Sequence, residues 1–266
     1  FPSDIEKEFL SFLYDYHFLS YKDAQYLFKS KLYYKKQILD LINNDYIKKH
    51  KSGSYILSNA GKRFLKSLGY DFSTKMAYSN EYIQRQKLIS FIAAFYHFCN
   101  NVEFIPSFKH KDKDIFTIKS RRYIGLLKIN NIEYLTYYIS KKQNLKYVNS
   151  VYFDIQKEKK YKNIIIFAED IDMINISQFC FGLNRVLIVD TNEKSLETLN
   201  YLNKIDWTYI IKQKYGANIY LSEYSFCDYT NRKNKYIACF TYIDTEKINL
   251  IKYFIKENKE KKVDII

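Results

Sequence analysis

The sequence predicts an α+β protein of two domains, and two observations carry that prediction. Over the first seventy residues apolar side chains recur at helical spacing and are broken by one short basic hairpin, whereas beyond residue 101 short strand-like runs alternate with helical segments. The chain has 266 residues, 47% of them hydrophobic and 18% aromatic, which supplies enough apolar material for two cores and excludes wholesale disorder.

Each element follows from local pattern. Ile5, Phe9, Phe12 and Leu13 mark a first helix, and a second short helix starts at Ser20, a hydroxyl N-cap with Asp23 three residues on. A third follows Ser30, with Ile38, Leu41 and Ile42 on one face, and gives way at Asn43-Asn44-Asp45. Tyr46 to His50 and Ser54 to Leu57 are strand-like runs joined through Lys51-Ser52-Gly53 into a hairpin. Ser58 caps a further helix from Asn59 to Leu68, closed by Gly69. Helix, helix, helix, two-stranded wing, helix is the order of a winged helix-turn-helix, assigned to residues 1–70.

Residues 71–102 read as a polar linker and a long amphipathic helix from Asn80 to Asn100. Its apolar face, Ile83, Leu88, Ile89, Phe91, Ile92, Phe95 and Phe98, is expected to dock on the second domain or on a second copy in a homodimer. Residues 103–258 form the α/β domain. Arg122 to Ile129 and Ile132 to Ile139 flank Asn130-Asn131, two residues that tolerate positive φ, so an antiparallel hairpin is expected. Asn163 to Ala168 and Arg185 to Asp190 are continuous apolar runs of the kind buried on both faces, with helical segments near Asn175 to Gly182 and Glu193 to Lys204. A late strand from Tyr236 to Ile243 and a helix from Thr245 to Asn258 precede a basic tail, 259–266, expected to fray into solvent.

Charge narrows the partners. Lys and Arg number 43 against 29 Asp and Glu, a net charge of +14, which favours a polyanion such as nucleic acid. Lys outnumbers Arg 37 to 6, a bias that an AT-rich genome imposes on any protein, so location has to decide. From Lys22 to Lys66 eleven Lys and Arg face three Asp, a balance of +8 inside the segment shaped like a DNA reader. In a winged helix the third helix enters the major groove and the wing reaches the flanking backbone. Opposite Ile38, Leu41 and Ile42 the candidates for base and phosphate contact are Ser30, Lys31, Tyr33, Lys36 and Gln37; the wing offers Lys48, Lys49, Lys51 and Ser52.

These residues and the ones after them carry a resemblance. Ile38-x-x-Leu41-x-x-x-Asp45-x-Ile47, then a basic hairpin and Tyr55-Ile56-Leu57-Ser58-Asn59-Ala60-Gly61, resembles the replication-relaxation family of plasmids and conjugative elements. That family's usual text is L-x-x-L-x-x-x-G-x-I followed by Y-x-L-T-x-x-G; Asp45 and Ser58 depart from it. The likeness is specific over the first seventy residues and extends through the layout to about Asp206. It implies a double-stranded DNA-binding accessory or initiator at a plasmid or mobile-element origin, working with a replication protein or a relaxase. It also implies that the α/β half is similar to the restriction-endonuclease-like nucleases.

Catalysis is not expected of that half. Such a nuclease needs an acid at the start of the hairpin and an acid-x-Lys across the turn, to hold Mg²⁺ and steady the attacking water. The first strand begins Arg122-Tyr123-Ile124 without an acid and the return run Tyr134 to Ile139 has none; Glu133 and Lys141 flank that run at a spacing that does not make the metal site, and Glu158-x-Lys160, Glu257-x-Lys259 and Glu260-x-Lys262 lie in Lys-rich stretches. The four histidines, His17, His50, His97 and His110, are scattered, no arginine completes a His-x-x-Arg, and no phosphate loop or nucleophile elbow is present. The acids of Asp112-x-Asp114 and Glu169-Asp170-x-Asp172 read as solvated loops. Tyr134 to Tyr138 reads as packing, with a stacking platform for single strands as the alternative. No metal, cofactor or catalytic residue is therefore assigned. The rival functions are a metal-dependent nuclease with an altered site and a winged-helix transcriptional repressor. Four cysteines without a CxxC pair fit a reducing, cytoplasmic setting, and the longest apolar stretch, Leu88 to Cys99, is too short to cross a bilayer.

Overall fold

The computed structural model describes residues 2–30, 32–72, 79–110, 122–158, 160–174, 183, 185–201, 205–231, 234–239 and 245–266. The architecture is mixed α+β, with a helical N-terminal region and a C-terminal β-sheet domain; the chain divides into two compact units, Phe1–Pro106 and Ser107–Ile266.

The first unit opens with α1 (Asp4–Tyr16). Its start is a capping box in which the Ser3 hydroxyl accepts the Glu6 N–H while the Glu6 carboxylate accepts from the Ser3 backbone. Phe9, Leu10, Phe12 and Leu13 are its buried stripe, and Ile5 stays exposed. After β1 (Leu19–Ser20) the expected second helix is a 3-10 turn, Asp23–Leu27. Ser20 does accept the Asp23 N–H, but five residues hold only a tight turn. Helix α2 (Tyr34–Asn43) follows, then β2 (Ile47–His50), β3 (Ser54–Leu57) and α3 (Asn59–Ser67). The strands form one antiparallel sheet in the order β1-β3-β2, with Ile47 opposite Leu57 and Leu19 opposite Tyr55. The hairpin turns at Gly53, whose φ of +75° a β-carbon would resist.

Helix α4 (Asn80–Phe95) corrects two expectations. It ends at Phe95, short of Asn100, and it is not amphipathic along its length, because Leu88 through Ala94 are all buried. Part of its surface packs within the first unit: Tyr26 meets the rings of Phe91 and Phe95, and Lys87 Nζ donates to the Ser52 carbonyl at the hairpin tip. The unit closes with β4 (Val102–Pro106).

The second unit begins with the single turn α5 (Ser107–His110). Its hairpin, β5 (Tyr123–Ile129) and β6 (Ile132–Ile139), turns at Asn130-Asn131 with both residues at positive φ and Ile129 opposite Ile132. A helix that strand periodicity did not reveal, α6 (Leu145–Lys157), returns the chain to β7 (Asn163–Ala168), which pairs in parallel with β6 and with β8 (Arg185–Asp190). Ile164 through Ala168 are buried without a break, as a strand covered on both faces requires. The helical segment expected at Asn175 to Gly182 lies outside the described residues. Next come α7 (Glu193–Tyr201) and α8 (Trp207–Tyr215), then β9 (Tyr220–Leu221), β10 (Tyr229–Thr230), β11 (Lys235–Ala238), α9 (Thr245–Glu257) and β12 (Lys262–Ile265).

The last of these corrects the frayed tail. Strand β12 pairs in parallel with β11 at the edge of a sheet ordered β12-β11-β10-β9, with Val263 opposite Tyr236. Lys261 is held as β12 begins: its ammonium sits 5.1 to 5.5 Å from the ring centres of Tyr224, Tyr236 and Phe254.

Candidate nucleic-acid interface

The site is built by the way α2 is anchored. Ile38 and Leu41 are buried, so Lys35, Lys36, Leu39 and Asn43, on the opposite side at 3.6 residues per turn, face solvent. Asp45, two residues past the end of the helix, takes φ +55°, a left-handed conformation that aspartate adopts more readily than most residues. The chain then doubles back: Tyr46 N–H donates to Leu41 O, and the Ser58 hydroxyl reaches the Asp45 carbonyl. Ser58 also caps α3 by accepting the Gly61 N–H at 3.0 Å. Gly61 itself is obligatory, since a β-carbon there would lie 2.1 Å from the Tyr46 carbonyl oxygen. The motif residues thus clamp α3 against the end of α2 and thereby set the hairpin beside it.

On this frame Ser30, Tyr33 and Lys36 are exposed, Tyr33 at 65%, and Gln37 is half-buried. Lys31 lies outside the described residues. Lys48, Lys49 and Lys51 are exposed on β2 and the turn. Ser52 is different: its hydroxyl is 2.8 Å from His50 Nδ1 and 3.3 Å from Ser54 Oγ, and its carbonyl accepts from Lys87. It is better suited to holding the hairpin's shape than to reaching a phosphate. Sequence reasoning passed over Lys35, Leu32 and Leu39, although the spacing from Ile38 and Leu41 already places Lys35 and Leu39 outward. Leu32 is 86% exposed and Leu39 54%.

Beside α2 a groove of about 330 Å³ runs between Ile5 and Glu8 of α1, the Leu27–Ser30 loop, Tyr33 and Gln37, and Phe98. His97 Nε2 stands 2.8 Å from Glu8 Oε1 near its rim. At the C-cap of α1, His17 takes φ +65° and is held below its ordinary pKa, chiefly by burial and also by the Lys62 charge, while Asp15 opposes the shift.

The second unit places its acids apart. Glu133 and Lys141 stand at opposite ends of β6, about 26 Å apart along an extended strand. The Glu158 carboxylate accepts the backbone N–H groups of Lys160 and Tyr161, and Glu169 accepts from the Tyr138 hydroxyl at 2.6 Å and the Lys141 N–H at 3.0 Å. Asp154 of α6 is buried and ion-paired to Arg122 at 2.8 Å. Among the described residues no three His, Cys, Asp or Glu converge on one point. Tyr134, Tyr137 and Tyr138 are buried packing residues, so β6 offers no stacking platform. Burial raises the hydroxyls of Tyr16, Tyr96, Tyr137 and Tyr138, which is the reverse of what a tyrosine nucleophile requires. Burial likewise pushes the thiols of Cys227 and Cys239 up to about 11. Among the described residues Cys99, Cys227 and Cys239 form no disulfide, and no helix is long and apolar enough to cross a membrane.

Compared with protein-family models, with curated proteins and with solved structures, the chain gives no match.

Proposed function

We propose that the first unit is a winged helix-turn-helix that binds duplex DNA, with α2 in the major groove and the β2–β3 hairpin as a wing on the backbone. The observation that carries the reading is the order α1, β1, 3-10 turn, α2, β2, β3, α3 around a sheet ordered β1-β3-β2, with Lys35, Lys36, Lys48, Lys49 and Lys51 all turned to solvent. Lysines on a wing neutralise phosphates and position the helix; the side chains of α2 specify the sequence. The resemblance on Ile38 to Gly61 extends this to an accessory or initiator at a plasmid or mobile-element origin. On that reading the second unit is a nuclease-like scaffold that contacts a replication protein or relaxase and performs no chemistry.

The test is fluorescence anisotropy of the whole chain on duplex fragments tiling its own replicon, with excess competitor DNA and Mg²⁺ present. Binding to one origin fragment that survives competitor, leaves the DNA uncut and is abolished by Lys36→Glu with Lys49→Glu is the expected result. Equal weak binding to every fragment, untouched by those substitutions, refutes the DNA reading. Cutting that EDTA abolishes refutes the assignment of the second unit, and a site in a promoter in place of an origin makes the chain a repressor.

A further inference from the structure

The outward side of α2 and of the turn before it carries more apolar surface than a phosphate-docking face needs. Leu32, in the turn two residues before α2 begins, is 86% exposed, and Leu39, within the helix, is 54% exposed. Between them stand Lys35 and Lys36, and the helix's one acid, Asp40, is half-buried on its flank. No arginine lies in α2, and its one glutamine, Gln37, is half-buried on the groove side.

Leaving two leucines in water wastes burial that a partner can recover. The flanking charge says what partner: exposed lysines beside the leucines, and three more on the wing, complement a polyanion and repel a basic surface. On the major-groove edge of DNA the one apolar group is the thymine 5-methyl, and apolar side chains are its partners. We infer that Leu32 and Leu39 read thymine methyl groups, so that the recognised site carries thymines with lysine contacts between. This rests on the DNA-binding reading above and specifies what that reader recognises.

The experiment compares the preferred duplex with the same duplex synthesised with deoxyuridine for thymidine, which deletes only the methyl groups. For the unaltered chain affinity is expected to fall about fourfold for each methyl read, the worth of one buried CH₂ group. In Leu32→Ala with Leu39→Ala the thymine duplex binds more weakly and the difference between the two duplexes disappears. Both leucines are exposed, so circular dichroism of that variant stays that of the unaltered chain. Equal affinity for the two duplexes, with binding still lost on Lys36→Glu, overturns methyl reading and leaves DNA binding intact. Binding to neither overturns both. Unchanged DNA binding in the leucine variant, together with a smaller sedimenting species, assigns the leucines to contact between protein copies and overturns the inference.

Discussion

Replacing Gly61 by alanine sets two physical effects of opposite sign against each other. Gly61 lies within α3, where an exposed glycine-to-alanine change ordinarily stabilises a helix by about 1 kcal/mol. Here the added β-carbon would stand 2.1 Å from Tyr46 O and 3.0 Å from Tyr46 C, against an ordinary carbon-to-oxygen contact of about 3.3–3.6 Å. The obstruction is backbone, so α3 must retreat by about 1.2 Å or more. Overpacking of this kind costs about 2 kcal/mol. The retreat also stretches the 3.0 Å cap from Gly61 N–H to Ser58, worth about 1 kcal/mol, and the 3.1 Å bond from Ser58 N–H to Tyr46 O, worth about 1 kcal/mol. Setting the helix gain against these leaves a net loss of about 3 kcal/mol. Hydrogen exchange by mass spectrometry on the whole chain reads this locally, as about hundredfold faster exchange in peptides covering Ile47–Leu57 and Asn59–Ser67. Exchange that is unchanged or slower would mean that helix propensity outweighs the close approach, and would refute the argument that Gly61 is required by contact with Tyr46.

Two further outcomes follow from the same unit. On the proposed DNA-binding reading, substituting Lys48, Lys49 and Lys51 together by alanine is expected to lower the slope of log affinity against log salt by about 2 to 3, measured by anisotropy across a salt series, since each phosphate contact contributes about 0.9; an unchanged slope rules the hairpin out as a phosphate contact. His17, held below its ordinary 6.5 by burial, contributes stability that is present above pH 6.5 and lost as pH falls through its lower folded value. The first unit should therefore exchange faster at about pH 5 than at about pH 7.5 once intrinsic rates are divided out, and His17→Asn, which tolerates the φ of +65°, should remove that difference. The same acid response in the variant would assign it to other groups.

What could be read in the chain before folding was whatever depends on neighbours. The caps at Ser3 and Ser58 differ in this respect: Ser58 was legible from the helix pattern after it, and the structure adds the capping box at Ser3. Asn130-Asn131 predicted its hairpin because asparagine tolerates the positive φ that a two-residue turn imposes. The limits of β7 and β8 were legible as continuous apolar runs, but only β7 is buried on both faces; β8 lies at the sheet edge, where Ile188 and Val189 stay half-buried and Asp190 is exposed. In the candidate interface the exposure of Tyr33, Lys36, Lys48, Lys49 and Lys51 followed from the burial of Ile38 and Leu41 and from the turn chemistry around Gly53.

The remainder depended on partners distant in sequence. Strand β12 exists because β11 presents an edge to it, and a Lys-rich segment carries no periodicity that announces this. The two-residue strands β1, β9 and β10 are too short to show a period of two. The unbroken burial of Leu88 to Ala94 depends on covering that the helix's own pattern does not specify, and the contact from Lys87 to Ser52 spans 35 residues. By itself the sequence determined α1, α2, the β2–β3 hairpin and α3 of the first unit, the β5–β6 hairpin, the two-face burial of β7 and the basic character of residues 22–66, because spacing, turn chemistry and charge are local properties. Only the tertiary structure decided that Ser52 is tied into the hairpin, that Gly61 must lack a side chain and that Leu32 remains in water. Each of those depends on which surfaces meet across the fold.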